Sequence, residues 1–179
     1  MEQSFKTIGI ALDTSGSMSS ILSDVIEETI GILDKFQPEM VVFCQFSNSF
    51  KVETIELPVA KERLRNAKAS GSTAMYDGVT TMLLELISFA TQDPNVLAVV
   101  VTDGLENSSS RYRKSDLLES KQKIRELSGD DCIREICIST SMAEAAALQN
   151  VTPGLRPASS SRATRDRNSI REAFSTMTQ

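Results

Sequence analysis

Asp13, Ser15 and Ser17 stand two residues apart in "LDTSGSM". Thr73 lies just after Gly71 in "ASGSTAMYDG", and Asp103 directly follows the apolar run "VLAVVVT". Both aspartates close a stretch that reads as a buried strand, so both belong on one edge of a sheet. On adjacent strands they would sit about 5 Å apart. Carboxylates that close raise a pKa or recruit a cation. No Lys or Arg is a sequence neighbour of either, and the chain has no His. A divalent metal is the economical answer. Ser15 and Ser17, two apart in one loop, can both face inward, and Thr73 adds a donor from a third loop. Five oxygen donors from three loops suit a hard octahedral ion, Mg2+ or Mn2+. Magnesium keeps part of its water, so either aspartate can act through a water molecule.

The elements that must position these residues follow from hydrophobic period. Phe5–Leu12 is nearly continuous in apolar or small residues, as a strand covered on both faces should be. Ile21, Leu22, Val25, Ile26, Ile30, Leu33 and Phe36 recur at three and four, which predicts a helix over Met18–Phe36. Met40–Phe46 and Phe50–Leu57 read as strands joined by the turn "SNS", an antiparallel hairpin at a sheet edge. Val59–Ala67 reads as a weak helix. Met75, Val79, Met82, Leu83, Leu86, Ile87 and Ala90 mark another helix, and Val96–Thr102 is the clearest buried strand. Ser115–Leu127 reads as a helix capped by Ser115, and Ile133–Ile138 as a strand. Ser141 and Glu144 fit a capping box for a short helix to Gln149. Residues 150–168 show no period and read as a loop or a weak edge strand. Ile170, Ala173, Phe174 and Met177 predict a final helix over 169–177. The alternation gives an α/β fold: a Rossmann-like, doubly wound and mostly parallel sheet with one antiparallel edge strand and helices on both faces. Ligands bind such sheets at the C-terminal ends of the strands.

With 179 residues, the chain reads as a single domain over 1–179. No run is long and apolar enough to span a membrane, and no leader peptide is apparent, so a cytoplasmic setting is expected. Cys44, Cys132 and Cys137 lack CxxC spacing, which with the absence of His argues against zinc and for buried thiols. The net charge of −5 argues against nucleic acid as a partner. It is uneven. Residues 1–150 hold 14 Lys and Arg against 22 Asp and Glu, a net of −8, and residues 151–179 hold five Arg against two acids, a net of +3.

At this point the chain resembles a known family. "DTSGS" fits the D-x-S-x-S signature of von Willebrand factor A-type (vWA) domains. "GSTAMYDG" resembles the loop that carries their metal-binding threonine, and "VVTDG" the strand that carries their second aspartate. Together these form that family's metal-ion-dependent adhesion site (MIDAS). The resemblance spans roughly 5–149, and "IREAF" looks like the last helix of small bacterial members. It implies a sheet of about six strands. It also implies that Ser15, Ser17 and sometimes Thr73 contact the metal directly, while Asp13 and Asp103 do so directly or through water. The neutral hydroxyls would leave the ion electrophilic, with one position open to an Asp or Glu of a partner protein. The family's last strand should fall near 154–161, where "GLRPASSS" has little strand character.

Each residue also has a plainer role. Ser17 suits the cap of a helix starting at Met18. Thr73 suits a turn, and Asp103-Gly104 is a common turn pair. Asp77 favours a helix N-terminus and is not expected to be a ligand. Glu106, Asn107 and Ser108–Ser110 read as a solvated loop on the same edge, with contact to a partner as the alternative; Arg156, Arg162, Arg165 and Arg167 read as a solvated tail, with docking on an acidic surface, this domain's own included, as the alternative. The favoured function is a non-catalytic, metal-dependent protein-binding module without a membrane or nucleic-acid partner. An alternative is a Mg2+-dependent hydrolase or phosphatase of the haloacid dehalogenase type. Such an enzyme wants a second aspartate where this chain has Ser15. A further alternative is a scaffold whose metal site is unused.

Overall fold

Thr7–Asp13 forms β1, and all seven of its residues are buried. This computed structural model describes residues 4–103, 106–139 and 160–178. β2 (Met40–Phe46) and β4 (Val96–Thr102) flank β1 in parallel. β3 (Phe50–Glu56) turns back antiparallel on β2. β5 (Ile133–Ser139) and β6 (Ser160–Thr164) extend the other side in parallel. The order is β3-β2-β1-β4-β5-β6. The chain winds outward from β1 in one direction and from β4 in the other. The break between them is the switch point at which doubly wound sheets bind ligands.

Five α-helices among the described residues cover the sheet: α1 (Leu22–Phe36), α2 (Leu57–Arg65), α3 (Met75–Ala90), α4 (Lys114–Ser128) and α5 (Arg167–Thr176). Strand alternation splits the core in two. Ile8, Ile10, Leu12, Val41, Phe43, Val99 and Val101 pack towards α1, α2 and α5. Ala11, Val42, Cys44, Ala98 and Val100 pack towards α3 and α4. Gly9 lets α3 approach β1: a Cβ there would lie 2.5 Å from the Met82 sulfur and 2.9 Å from Leu86 Cδ2. α4 is tied to β5 by an ion pair between Lys121 and Glu135 whose side chains are 0% and 1% exposed.

The helix starts depart from the sequence reading, and α2 begins at Leu57 rather than Val59. The helix expected from Met18 is preceded by a 3-10 turn over Gly16–Ser20, and α1 begins at Leu22. Clustered Ser and Gly favour the tighter turn over helix. α4 starts at Lys114 rather than behind a Ser115 cap, and the Arg113 amide donates to Asp116 Oδ2 at 2.7 Å. Within 150–168, read as a loop or a weak edge strand, Ser160–Thr164 is the edge strand β6, which pairs Glu135↔Ser160 through Ser139↔Thr164. An edge strand is held by its backbone ladder and needs no apolar alternation. Helix α5 begins two residues early, where the Asp166 carboxylate accepts from the Ser169 amide at 2.9 Å. The short helix expected up to Gln149 lies outside the described residues. The three cysteines are buried and form no disulfide, and burial pushes the Cys132 thiol up to about 11. No helix among the described residues is long and apolar enough to cross a membrane.

Candidate metal centre

The end of β1 lies beside the end of β4. Leu12 pairs with Val101, and one step further the Thr102 hydroxyl donates to Asp13 Oδ2 at 2.8 Å. The other Asp13 oxygen accepts from the Ser15 amide at 2.8 Å. The Ser15 and Ser17 hydroxyls lie 3.1 Å apart, and the Ser17 hydroxyl donates to Asp103 Oδ2. A continuous hydrogen-bonded path thus joins Asp13, Ser15, Ser17 and Asp103. The 3-10 turn is what brings Ser17 round to Asp103. Ser17 therefore lies inside the turn, whose N-cap is Ser15, and has another role than capping a helix at Met18.

Thr73 is placed in the adjoining loop. Its neighbours are tied to the β1 loop by two backbone bonds, Gly16 N–H to Gly71 O at 2.9 Å and Ser70 N–H to Thr14 O at 2.8 Å. The Thr73 amide donates to Asn107 Oδ1 at 2.8 Å, and its carbonyl accepts from the Asn107 and Ser108 amides. No bond joins its hydroxyl to the other four residues among those described.

The loop after β4 is fastened to the start of α3 by two carboxylates. Asp77 accepts from the Ser110, Arg111 and Tyr112 amides at 2.7–3.2 Å. Glu106 accepts from the Tyr76, Ser108 and Ser109 amides at 2.8–3.1 Å. The segment expected to be a solvated loop is therefore pinned, and Asp77 acts on a distant loop rather than only on its own helix. Sequence reasoning could not find this, because the partners lie about 30 residues away.

Asp13 and Asp103 are both buried. Burial drives the Asp13 carboxyl up to about 6; bonds from Ser15 oppose the shift and the Asp103 charge adds to it. Asp103 Oδ1 is buried with no hydrogen-bond partner, and an orphaned buried carboxylate oxygen is costly unless something else coordinates it.

A cation does reach Asp103. Arg165, at the bend between β6 and α5, places Nη2 at 3.1 Å from Asp103 Oδ2 and donates from Nη1 to the Ser17 carbonyl. Arg167 likewise pairs with Asp24 and Glu27, and Arg171 with Glu28, all on α1. Arg165 and Arg167 are thus docked on the acidic body instead of forming a solvated tail; the opposite charges of the two segments were the legible signal. Arg156 and the Arg162 side chain lie outside what is described.

A divalent ion fits this donor chemistry: two carboxylates, one with an unpaired oxygen, beside hydroxyls on the same edge. Among the described residues no group of three or more Asp, Glu, Cys or His gathers at one place, so a bound ion would rely on neutral hydroxyls.

No protein-family model and no curated protein matches the sequence. Solved structures do match the fold. The vWF domain of the type V pili tip protein Mfa5 from Porphyromonas gingivalis aligns with a TM-score of 0.69 at 10% identity, over 100% of this chain and 95% of that one. Manganese-loaded TRAP from Plasmodium vivax aligns at 0.58 and 15% identity, over 99% and 75%. The pilus adhesin SpaC from Lactobacillus rhamnosus GG aligns at 0.66 and 11% identity; the match covers 98% of this chain but only 30% of that one. The chain has the fold of a vWA domain.

Proposed function

We propose that this vWA-like domain is a metal-dependent protein-binding module in which a MIDAS-like site holds Mg2+ or Mn2+ and the ion accepts a carboxylate from a partner. The observation that carries the reading is the meeting of the buried Asp13 and Asp103 carboxylates with the Ser15 and Ser17 hydroxyls at the sheet's switch point, with Asp103 Oδ1 unpaired. Asp13, Ser15, Ser17, Asp103 and Thr73 would hold the ion. When bound, the ion would supply an electrophilic position for an Asp or Glu. The residues around it position the loops: Thr102 and the Ser15 amide orient Asp13, and Asp77 and Glu106 hold the β4 loop against α3. The adhesin and pilus-tip roles in the neighbours' names, and the manganese in TRAP, support the reading by analogy of fold. The acidic body would repel a carboxylate-bearing partner, and a dication at the contact point offsets that. A cytoplasmic setting belongs to the proposal, supported by three buried cysteines that form no disulfide.

The test is peptide binding with and without metal. On an array of short peptides, retention in Mn2+ should depend on an Asp or Glu, vanish on Glu→Gln, and be released by EDTA. Retention insensitive to EDTA and to the Glu→Gln exchange contradicts the reading. The hydrolase alternative predicts turnover of a generic phosphoester in Mg2+; none is expected, because no general base remains beside the two aspartates once they hold an ion.

A further inference from the structure

We propose that Arg165 is a built-in competitor for the ion: its guanidinium holds Asp103 when metal is scarce and must leave for the ion to bind. This rests on the metal-site reading and adds its regulation.

The Arg165 guanidinium makes two contacts, to Asp103 Oδ2 and the Ser17 carbonyl, and both belong to the candidate site. Its third nitrogen, Nε, is buried without a partner. The Asp103 side chain is 2% exposed and that of Arg165 is 23% exposed, so the acid is fixed while the arginine has a route to water. The backbone behind Arg165 is anchored. Ile170, Ala173 and Phe174 of α5 are buried in the core shared with α1, and Arg167 and Arg171 pair with Asp24, Glu27 and Glu28 of α1. The side chain can therefore swing out while the helix stays in place.

A dication at Asp103 Oδ1 and a guanidinium at Oδ2 would occupy the two oxygens of one carboxylate, close enough to repel strongly. Ser17 feels the exchange as well, since its hydroxyl and its carbonyl are engaged on opposite partners, Asp103 and Arg165. Occupancy by Arg165 is thus coupled to the geometry of two proposed ligands. Arginine suits such a role, because it stays charged at all working pH values. The competition sets a threshold of metal concentration below which the partner-binding position is closed.

The experiment compares wild type with Arg165→Gln and Arg165→Lys by calorimetric Mn2+ titration and by thermal unfolding. Arg165→Gln is expected to bind Mn2+ about tenfold more tightly, equivalent to about 1.4 kcal/mol, with Arg165→Lys in between. Its midpoint should fall below wild type in EDTA, where the contact to Asp103 is lost, and match wild type at saturating Mn2+, where the contact is already broken. A purely structural arginine would lower both midpoints alike. Equal or weaker Mn2+ binding by Arg165→Gln, with clear binding by wild type, overturns the competition and leaves the metal site standing. No Mn2+ binding by either protein overturns both.

Discussion

Asp13→Asn is expected to make the metal-free protein more stable at pH 7.5 and to abolish its response to Mg2+ and Mn2+. The Asp13 carboxyl sits at about 6 in the fold against an ordinary 3.8, chiefly because it is buried. A raised acid is favoured in its protonated form, so its contribution is fully present below about pH 4 and is lost as the pH rises through about 6. At pH 7.5 the wild type carries a buried charge that Asn does not. Asn also retains an oxygen for the Ser15 amide, and the Thr102 hydroxyl can turn to accept from its nitrogen. The gain should approach about 2–3 kcal/mol at pH 7.5 and shrink to nothing near pH 4. In the wild type, Mn2+ at ten times its dissociation constant should restore about 1.4 kcal/mol, a rise of roughly 3–6 °C for a chain of this size. Asp13→Asn should show no rise. Wild-type affinity should weaken as the pH falls below about 6, where a proton competes for Asp13. Urea unfolding across pH, with EDTA and with Mn2+, measures all of this. A metal-free Asp13→Asn no more stable than wild type at pH 7.5 would mean that the carboxylate is not strained by its surroundings.

Lys121→Ala is expected to cost about 3–5 kcal/mol, enough to threaten folding. Lys121 and Glu135 are sealed between α4 and β5, and removing the ammonium leaves Glu135 buried and uncompensated. The paired exchange Lys121→Met with Glu135→Leu should recover most of the loss, because apolar side chains fill the same space without a desolvation penalty. Chemical denaturation of wild type, Lys121→Met, Glu135→Leu and the double variant forms the necessary cycle. If the double variant is as unstable as Lys121→Ala, packing rather than charge is what the pair contributes. This pair lies between α4 and β5, away from the ends of β1 and β4, so the double variant should bind Mn2+ as wild type does.

The parts of the fold that sequence makes plain are those in which one element settles its own environment. β1 and β4 are buried throughout and mostly apolar because helices cover both faces, and β3 is a half-exposed edge that follows a three-residue turn. β6 is opaque for the opposite reason. "SSRAT" has no apolar face to display and is held by pairing with β5. The 3-10 turn over Gly16–Ser20 is hidden because the helical spacing of Ile21 and Leu22 continues smoothly from Met18. At the site, Asp13, Ser15, Ser17 and Asp103 were legible as residues whose chemistry converges on one sheet edge. For Arg165 only the attraction of a basic tail to an acidic body was legible, not its seat on Asp103, since 62 residues separate the two and only the β6–α5 bend joins them in space. The amide clamps of Asp77 and Glu106 escaped for the same reason: they act across the fold on backbone groups, and backbone groups leave no mark in a sequence.

Electron paramagnetic resonance of Mn2+ titrated into the protein tests the central claim most directly, because free Mn2+ gives a sharp signal that fades on binding. The wild type should remove one Mn2+ per chain and release it to excess Mg2+. Ser15→Ala and Asp13→Asn, each confirmed folded by circular dichroism, should leave the free signal intact. One tight Mn2+ per chain in all three proteins would place the ion elsewhere, and no binding by the wild type would remove the metal from the account altogether.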